Sequence, residues 1–147
     1  MDFDSIPSMR LKTDKKFDKI TQTWSVFEAE INNGRLYPQA VAYKNFIYVL
    51  GGQIKNQKQA DSIEIIDITT GEVITTQTKL KYARYSFALV KVQNLAYIIG
   101  ENITDHSVKS PREICTETVE ILNLESKAKR IGSKLPFAGA SLTANIF

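Results

Sequence analysis

The residues in this chain that could carry chemistry are few and scattered. His106 is the single histidine, Asp105 precedes it, and the single cysteine, Cys115, follows in the same polar stretch. A Cys/His/Asp set is the raw material of a thiolate nucleophile with its base, or of a metal site. A metal site takes three or four ligands, and this spacing matches no ligand pattern, so exposed loop residues are the simpler reading. Glu64 and Glu120 are the next candidates, since paired carboxylates perform general acid and base work, but they are repeat-equivalent, so one structural part for each in its own unit is the simpler reading. Gly51-Gly52 resembles the start of a phosphate loop, but no Lys-Ser/Thr pair and no helix-forming segment follows it. A strand-ending turn accounts for the two glycines. No cofactor is expected, and no catalytic role.

Composition narrows the field further. The chain has 147 residues, 43% hydrophobic and 24% charged, enough to bury a sizeable core. Nineteen basic and 16 acidic residues leave a net charge of +3, too weak to predict a nucleic acid or anionic membrane partner. One cysteine excludes an internal disulfide framework and fits a reducing compartment. No apolar run approaches a membrane span, and the acidic start Met-Asp-Phe-Asp lacks the apolar core of a secretory signal. The expected location is cytoplasmic.

The elements that must position these residues come from a repeat. Gly51 and Gly100, Arg35 and Arg84, Asp18 and Asp67, and Trp24 and Val73 are each 49 residues apart. A period of about fifty residues predicts a stack of small sheets. Within the first unit, turn and apolar signals predict strands near 38–43, 46–51, 62–67 and 72–77, forming one antiparallel sheet. Lys44-Asn45 and Gln93-Asn94 each join two apolar runs, which predicts hairpins whose asparagines take the left-handed backbone. Near-continuous apolar runs such as Phe46–Leu50 predict strands covered on both faces. Asp67 and Gly71 predict a tight turn, from the carboxylate's local hydrogen bonds and the positive φ that glycine tolerates. The third strands match residue by residue, Ser62–Asp67 against Thr118–Asn123, but at an offset of 56. The extra seven residues predict a long polar loop over 101–117. Residues 1–16 read as a solvated tail. Trp24 and most of the tyrosines (Tyr37, Tyr43, Tyr48, Tyr82 and Tyr85) read as core candidates, with Tyr37 and Tyr85 singled out beside the two arginines.

An arginine, about sixteen residues, Ile-Tyr-Val-Leu-Gly-Gly, a variable loop, Ser-Ile-Glu-Ile-Ile-Asp and a turn together resemble the kelch repeat. The resemblance covers residues 17–147, with units at about 35–78 and 84–131 and partial units at 17–27 and 135–147. The second unit departs from the pattern, with Glu101 in place of the second glycine, and Gly139 stands where a third unit would carry arginine. The resemblance implies an all-β fold: a partial kelch-type β-propeller of two complete four-stranded antiparallel blades plus flanking strands. It also implies uncovered end faces, and hence self-association or completion of the ring by further blades.

The same resemblance implies a non-catalytic protein-interaction module, a piece or truncated copy of a longer propeller protein. Partners in that family dock on the face made by the loop after the Gly-Gly block and the corner entering the inner strand. By position this selects Arg35, Tyr37, Gln53, Lys55, Arg84, Tyr85, Ser86, Asp105 and His106 as binding candidates. A structural, bracing role for the arginines is the competing reading. The other functional readings are a degenerate unit without autonomous function and a propeller enzyme such as a copper oxidase or sugar-acid mutarotase. An enzyme of that kind needs ligands or acid/base groups converging on one axis.

Overall fold

The computed structural model describes residues 13–55, 58–105, 112–139 and 144. Eleven strands occur among them, and no α-helix. They are β1 (Thr13–Asp18), β2 (Thr23–Glu30), β3 (Gln39–Tyr43), β4 (Phe46–Leu50), β5 (Ser62–Asp67), β6 (Val73–Lys79), β7 (Arg84–Tyr85), β8 (Ala88–Val92), β9 (Leu95–Asp105), β10 (Arg112–Asn123) and β11 (Lys129–Ile131). They form a two-stranded ribbon β1-β2, a four-stranded sheet β3-β4-β5-β6, and a third sheet in which β7 and β8 both pair with β9, followed by β10 and β11. Every pairing is antiparallel. The described residues are therefore all-β, in antiparallel sheets of two, four and five strands. No helix among the described residues is long and apolar enough to cross a membrane.

The middle sheet is apolar on both faces because its strands alternate between two cores. Tyr48, Leu50, Ile63 and Ile65 pack with Phe87, Ala96, Ile98, Leu122 and Leu124 of the third sheet. Val49 and Ile66, on the opposite face, pack with Ala29 and Ile31 at the end of the ribbon. Side chains in a strand point alternately to its two faces, so the unbroken run Phe46–Leu50 fills both interfaces at once.

The same turn recurs in all three units. Asp18 Oδ1 accepts the N–H groups of Ile20 and Thr21 at 2.8 and 3.0 Å. Asp67 Oδ1 accepts those of Thr69 and Thr70 at 2.7 and 3.3 Å, and Asn123 Oδ1 those of Glu125 and Ser126 at 2.9 and 3.0 Å. Four positions after each of these residues the backbone is left-handed, at Gln22 (φ 55°), Gly71 (φ 75°) and Lys127 (φ 63°). Lys127 offsets the strain of that conformation by docking on the middle sheet. Its Nζ lies 4.5 Å from the Tyr48 ring centroid and donates to the Tyr48 hydroxyl and, at 2.7 Å, to the Leu124 carbonyl. The Tyr48 hydroxyl donates to that same carbonyl at 2.6 Å.

Three expectations need correction. In the hairpin turns the left-handed residues are Lys44 (φ 52°) and Gln93 (φ 54°), each preceding the asparagine. The asparagines instead present their carbonyls, which accept the N–H groups of Ile68 and Leu124 at 2.8 Å. The stretch 101–117 is not a loop throughout. Residues 101–105 continue β9 and pair with 112–116 of β10 before a register shift between Thr116 and Val119. After Gly51 the chain leaves the sheet through a second left-handed glycine, Gly52 (φ 91°). After Gly100 (φ 70°) comes Glu101, for which a left-handed backbone is costly, and the strand carries on. Finally, β1 begins at Thr13, inside the stretch read as a tail. The last partial unit lies largely outside the described residues, although its approach is visible. Leu135 donates to the Glu117 carbonyl as Leu80 does to that of Asp61, and Gly139 bridges Thr116.

Candidate functional site

Each unit after the first opens on a crossover that ends in Arg35 or Arg84, and both arginines are buried in a polar cluster. Arg35 Nη1 donates to the carbonyls of Gly51 (2.8 Å) and Ser62 (3.2 Å). Its Nη2 donates to Ser62 Oγ (3.0 Å) and forms an ion pair with Glu64 Oε1, both side chains being fully buried. Glu64 Oε2 accepts the backbone N–H of Asn32 at 2.7 Å. Arg84 repeats the arrangement. Nη1 reaches the Gly100 carbonyl at 3.4 Å, and Nη2 reaches Thr118 Oγ1 at 3.1 Å and Glu120 Oε1 at 2.7 Å. Glu120 Oε2 accepts the N–H of Lys81 at 2.6 Å, and Oε1 that of Tyr82 at 3.2 Å.

These clusters are not the binding groups selected from the sequence. Arg35 and Arg84 are 4% and 0% exposed, so neither offers a guanidinium to a partner. Each guanidinium fastens the second and third strands of its own sheet. Each paired carboxylate fastens the crossover arriving from the sheet before, which is the bracing role. Ion pairs and hydrogen bonds here answer one another, because a buried charge is tolerated only when its partners are present. The backbone of Arg84 adds a direct tie between sheets. Its carbonyl accepts from Gly52 N–H at 2.8 Å and its N–H donates to the Ala60 carbonyl at 3.1 Å.

The residues just after the arginines form an accessible corner. Tyr37 is 62% exposed, with a left-handed backbone (φ 52°), and its repeat equivalent Ser86 has φ 56°. Ser86 N–H donates to the Tyr37 carbonyl at 3.4 Å, linking the corners of adjacent sheets. The Tyr37 and Tyr85 rings lie 6.2 Å apart, tilted by 37°. Gln53 holds the corner from the side through two backbone hydrogen bonds with Leu36, at 2.8 and 2.9 Å. Lys55 is exposed two residues further along that loop. The structure thus brings Tyr37, Gln53, Tyr85 and Ser86 together and withdraws the two arginines. Asp105 ends β9, opposite Arg112. His106 lies outside the described residues. Cys115 is exposed on β10.

No group of three or more His, Cys, Asp or Glu gathers among the described residues as a metal site would. Two clefts, of about 180 Å³ beside Leu95 and Arg130 and about 110 Å³ beside Tyr43 and Lys127, fall below the ~300 Å³ of ordinary ligand pockets. The smaller is rimmed by Lys44 and Glu125, 2.5 Å apart. Their hydrogen bond and mutual attraction raise the Lys44 ammonium pKa and lower that of the Glu125 carboxyl. Both side chains are more than half exposed, so water and salt screen the pair and it adds little to stability.

Sequence reading missed one surface. Trp24, assigned to the core, is 67% exposed on the outer face of the ribbon, its ring 5.0 Å from that of Phe17 and tilted by 45°, with Val26 (66% exposed) beside it. The repeat contained the signal. Trp24 aligns with Val73, whose cover comes from the ribbon, and no described unit precedes the ribbon to cover Trp24 in turn.

No family model and no curated protein matches the chain. Among solved structures it is similar in fold to YjhT, with a TM-score of 0.74 at 11% identity. The match covers 88% of this chain and 47% of that one, so the chain spans about half the length of its structural neighbour.

Proposed function

We propose that the chain is a non-catalytic protein-interaction module of the kelch type, an arc of a β-propeller whose blades are the sheets described above. The observation that carries the reading is the corner formed by Tyr37 and Tyr85. An exposed aromatic held in a strained left-handed backbone, against a second ring and at a junction of two blades, is poor use of a tyrosine for stability. It suits recognition, because tyrosine offers a flat apolar body and a directional hydroxyl at low entropic cost. The burial of both arginine–glutamate pairs withdraws those four charged groups from surface chemistry. Partners would dock across Tyr37, Tyr85, Gln53, Lys55 and Ser86.

The test is affinity capture by the wild-type chain and by the Tyr37→Ala/Tyr85→Ala variant, with thermal melts to confirm that both fold. The expected outcome is a set of captured proteins lost from the variant while its melt stays close to wild type. Equal capture by both, with normal folding, would remove the corner from any binding role. In the second reading the chain has no autonomous function. A wild-type chain that shows no cooperative melt and captures nothing specific is the result that would favour it.

A further inference from the structure

We infer that the two end faces of this stack are complementary and that a second copy of the chain covers them, head to tail. At the N-terminal end, Phe17, Trp24 and Val26 are 43%, 67% and 66% exposed. Their repeat positions show what such a face is built to do. Phe17 aligns with Ile66, which is 0% exposed, and Trp24 with Val73, which packs beside Ile66 against the ribbon. At the other end, the outer face of the third sheet carries Val92, Tyr97 and Ile99. Tyr97 and Ile99 align with Tyr48 and Leu50, which are 1% and 0% exposed in the core between the second and third sheets. In the third sheet the same positions are only half-buried, and Val92 is 38% exposed.

One end therefore presents the face that a following sheet offers, and the other presents the face that receives it. Both internal interfaces of the chain join faces of these two kinds, so the geometry of the missing contact is already present twice within one copy. Two copies also span close to the length of the YjhT chain, of which one copy covers 47%. A face that differs from its partner face makes a heterologous contact, which either closes or propagates into fibres. Two copies joined at both ends leave neither apolar face open, and such closure avoids the association that open faces and strand edges invite. The inference rests on the stack of repeats described above and not on the Tyr37–Tyr85 corner.

The experiment is sedimentation velocity over a wide concentration range on the wild-type chain, on Trp24→Glu, on Val92→Glu, and on an equal mixture of the two variants. Circular dichroism melts confirm folding, and Val26→Glu serves as a second N-terminal variant. The expected result is a wild-type dimer, with each variant alone weakened at least tenfold in association. The mixture restores a one-to-one complex, because each variant retains the face the other has lost. The Tyr37→Ala/Tyr85→Ala variant remains dimeric, which separates this inference from the binding role of that corner. A wild-type monomer at all concentrations would overturn the inference. So would a Val92→Glu variant that still dimerises alone, since its Trp24 faces would then be pairing with each other, and so would a mixture that stays monomeric.

Discussion

Replacing Glu120 by alanine is expected to lower the unfolding free energy by about 3–5 kcal/mol, the usual cost of stranding one member of a buried ion pair. Arg84 is fully buried, and its Nη2 forms an ion pair with Glu120 Oε1 at 2.7 Å. Removal of Glu120 takes a buried carboxylate from the guanidinium, and it also deprives the Lys81 and Tyr82 N–H groups of their acceptor. A domain of this size is stable by only about 5–15 kcal/mol, so the loss would consume a large part of the total. The double replacement Arg84→Met/Glu120→Leu is expected to recover the part that comes from the buried charge, while the Lys81 and Tyr82 N–H groups still lack the Glu120 acceptor. Urea titrations of the three variants give the comparison. A loss below about 1 kcal/mol for Glu120→Ala would mean that the pair does not brace the crossover.

Gly51→Val should cost about 4 kcal/mol, from two separate causes. The backbone there has φ +59°, a conformation that costs non-glycine residues ~1–3 kcal/mol. A Cβ would also sit 2.5 Å from the Arg84 carbonyl oxygen and 2.8 Å from Cε1 of Phe87. Overpacking of that kind adds ~1–3 kcal/mol. The carbonyl cannot yield easily, since it accepts the Gly52 hydrogen bond that ties adjacent sheets. Gly71→Ala isolates the first cause. Its φ is +75°, yet nothing lies within 4 Å of the added carbon. Its expected cost is about 1 kcal/mol. Equal losses for the two variants would show that close approach plays no part at Gly51.

The order of strands was legible because local signals and the repeat agreed. In the first unit the expected strands 38–43, 46–51, 62–67 and 72–77 differ from the observed Gln39–Tyr43, Phe46–Leu50, Ser62–Asp67 and Val73–Lys79 only at their ends. The turns at Asp18, Asp67 and Asn123 were legible because a short carboxylate or amide side chain reaches only its own backbone neighbours. What failed depended on distant residues. Nothing local to Lys44 or Gln93 marks it as the left-handed residue in preference to the asparagine that follows. Glu101 read as a defect of the repeat, yet its consequence is a longer hairpin, set by pairing with residues 112–116. Trp24 read as core because tryptophan usually is, and only its 67% exposure in the fold shows otherwise. The arginines were visible as candidates for binding or for bracing. Their partners, Glu64 and Glu120, lie 29 and 36 residues away, so burial in three dimensions was needed to decide between the two.

The central claim is that buried carboxylates on the third strand of each sheet hold the crossover arriving from the sheet before. Native-state amide hydrogen exchange tests it most directly, at Asn32 and Lys81. Both residues are exposed and lie outside the strands, where amides ordinarily exchange through local openings of little cost. Yet Asn32 N–H donates to Glu64 and Lys81 N–H to Glu120, at 2.7 and 2.6 Å. The account predicts that these two amides are protected nearly as well as those of β4 and β5, and that Glu120→Ala frees Lys81 while leaving Asn32 slow. Exchange of both at the rate of an open loop would contradict it.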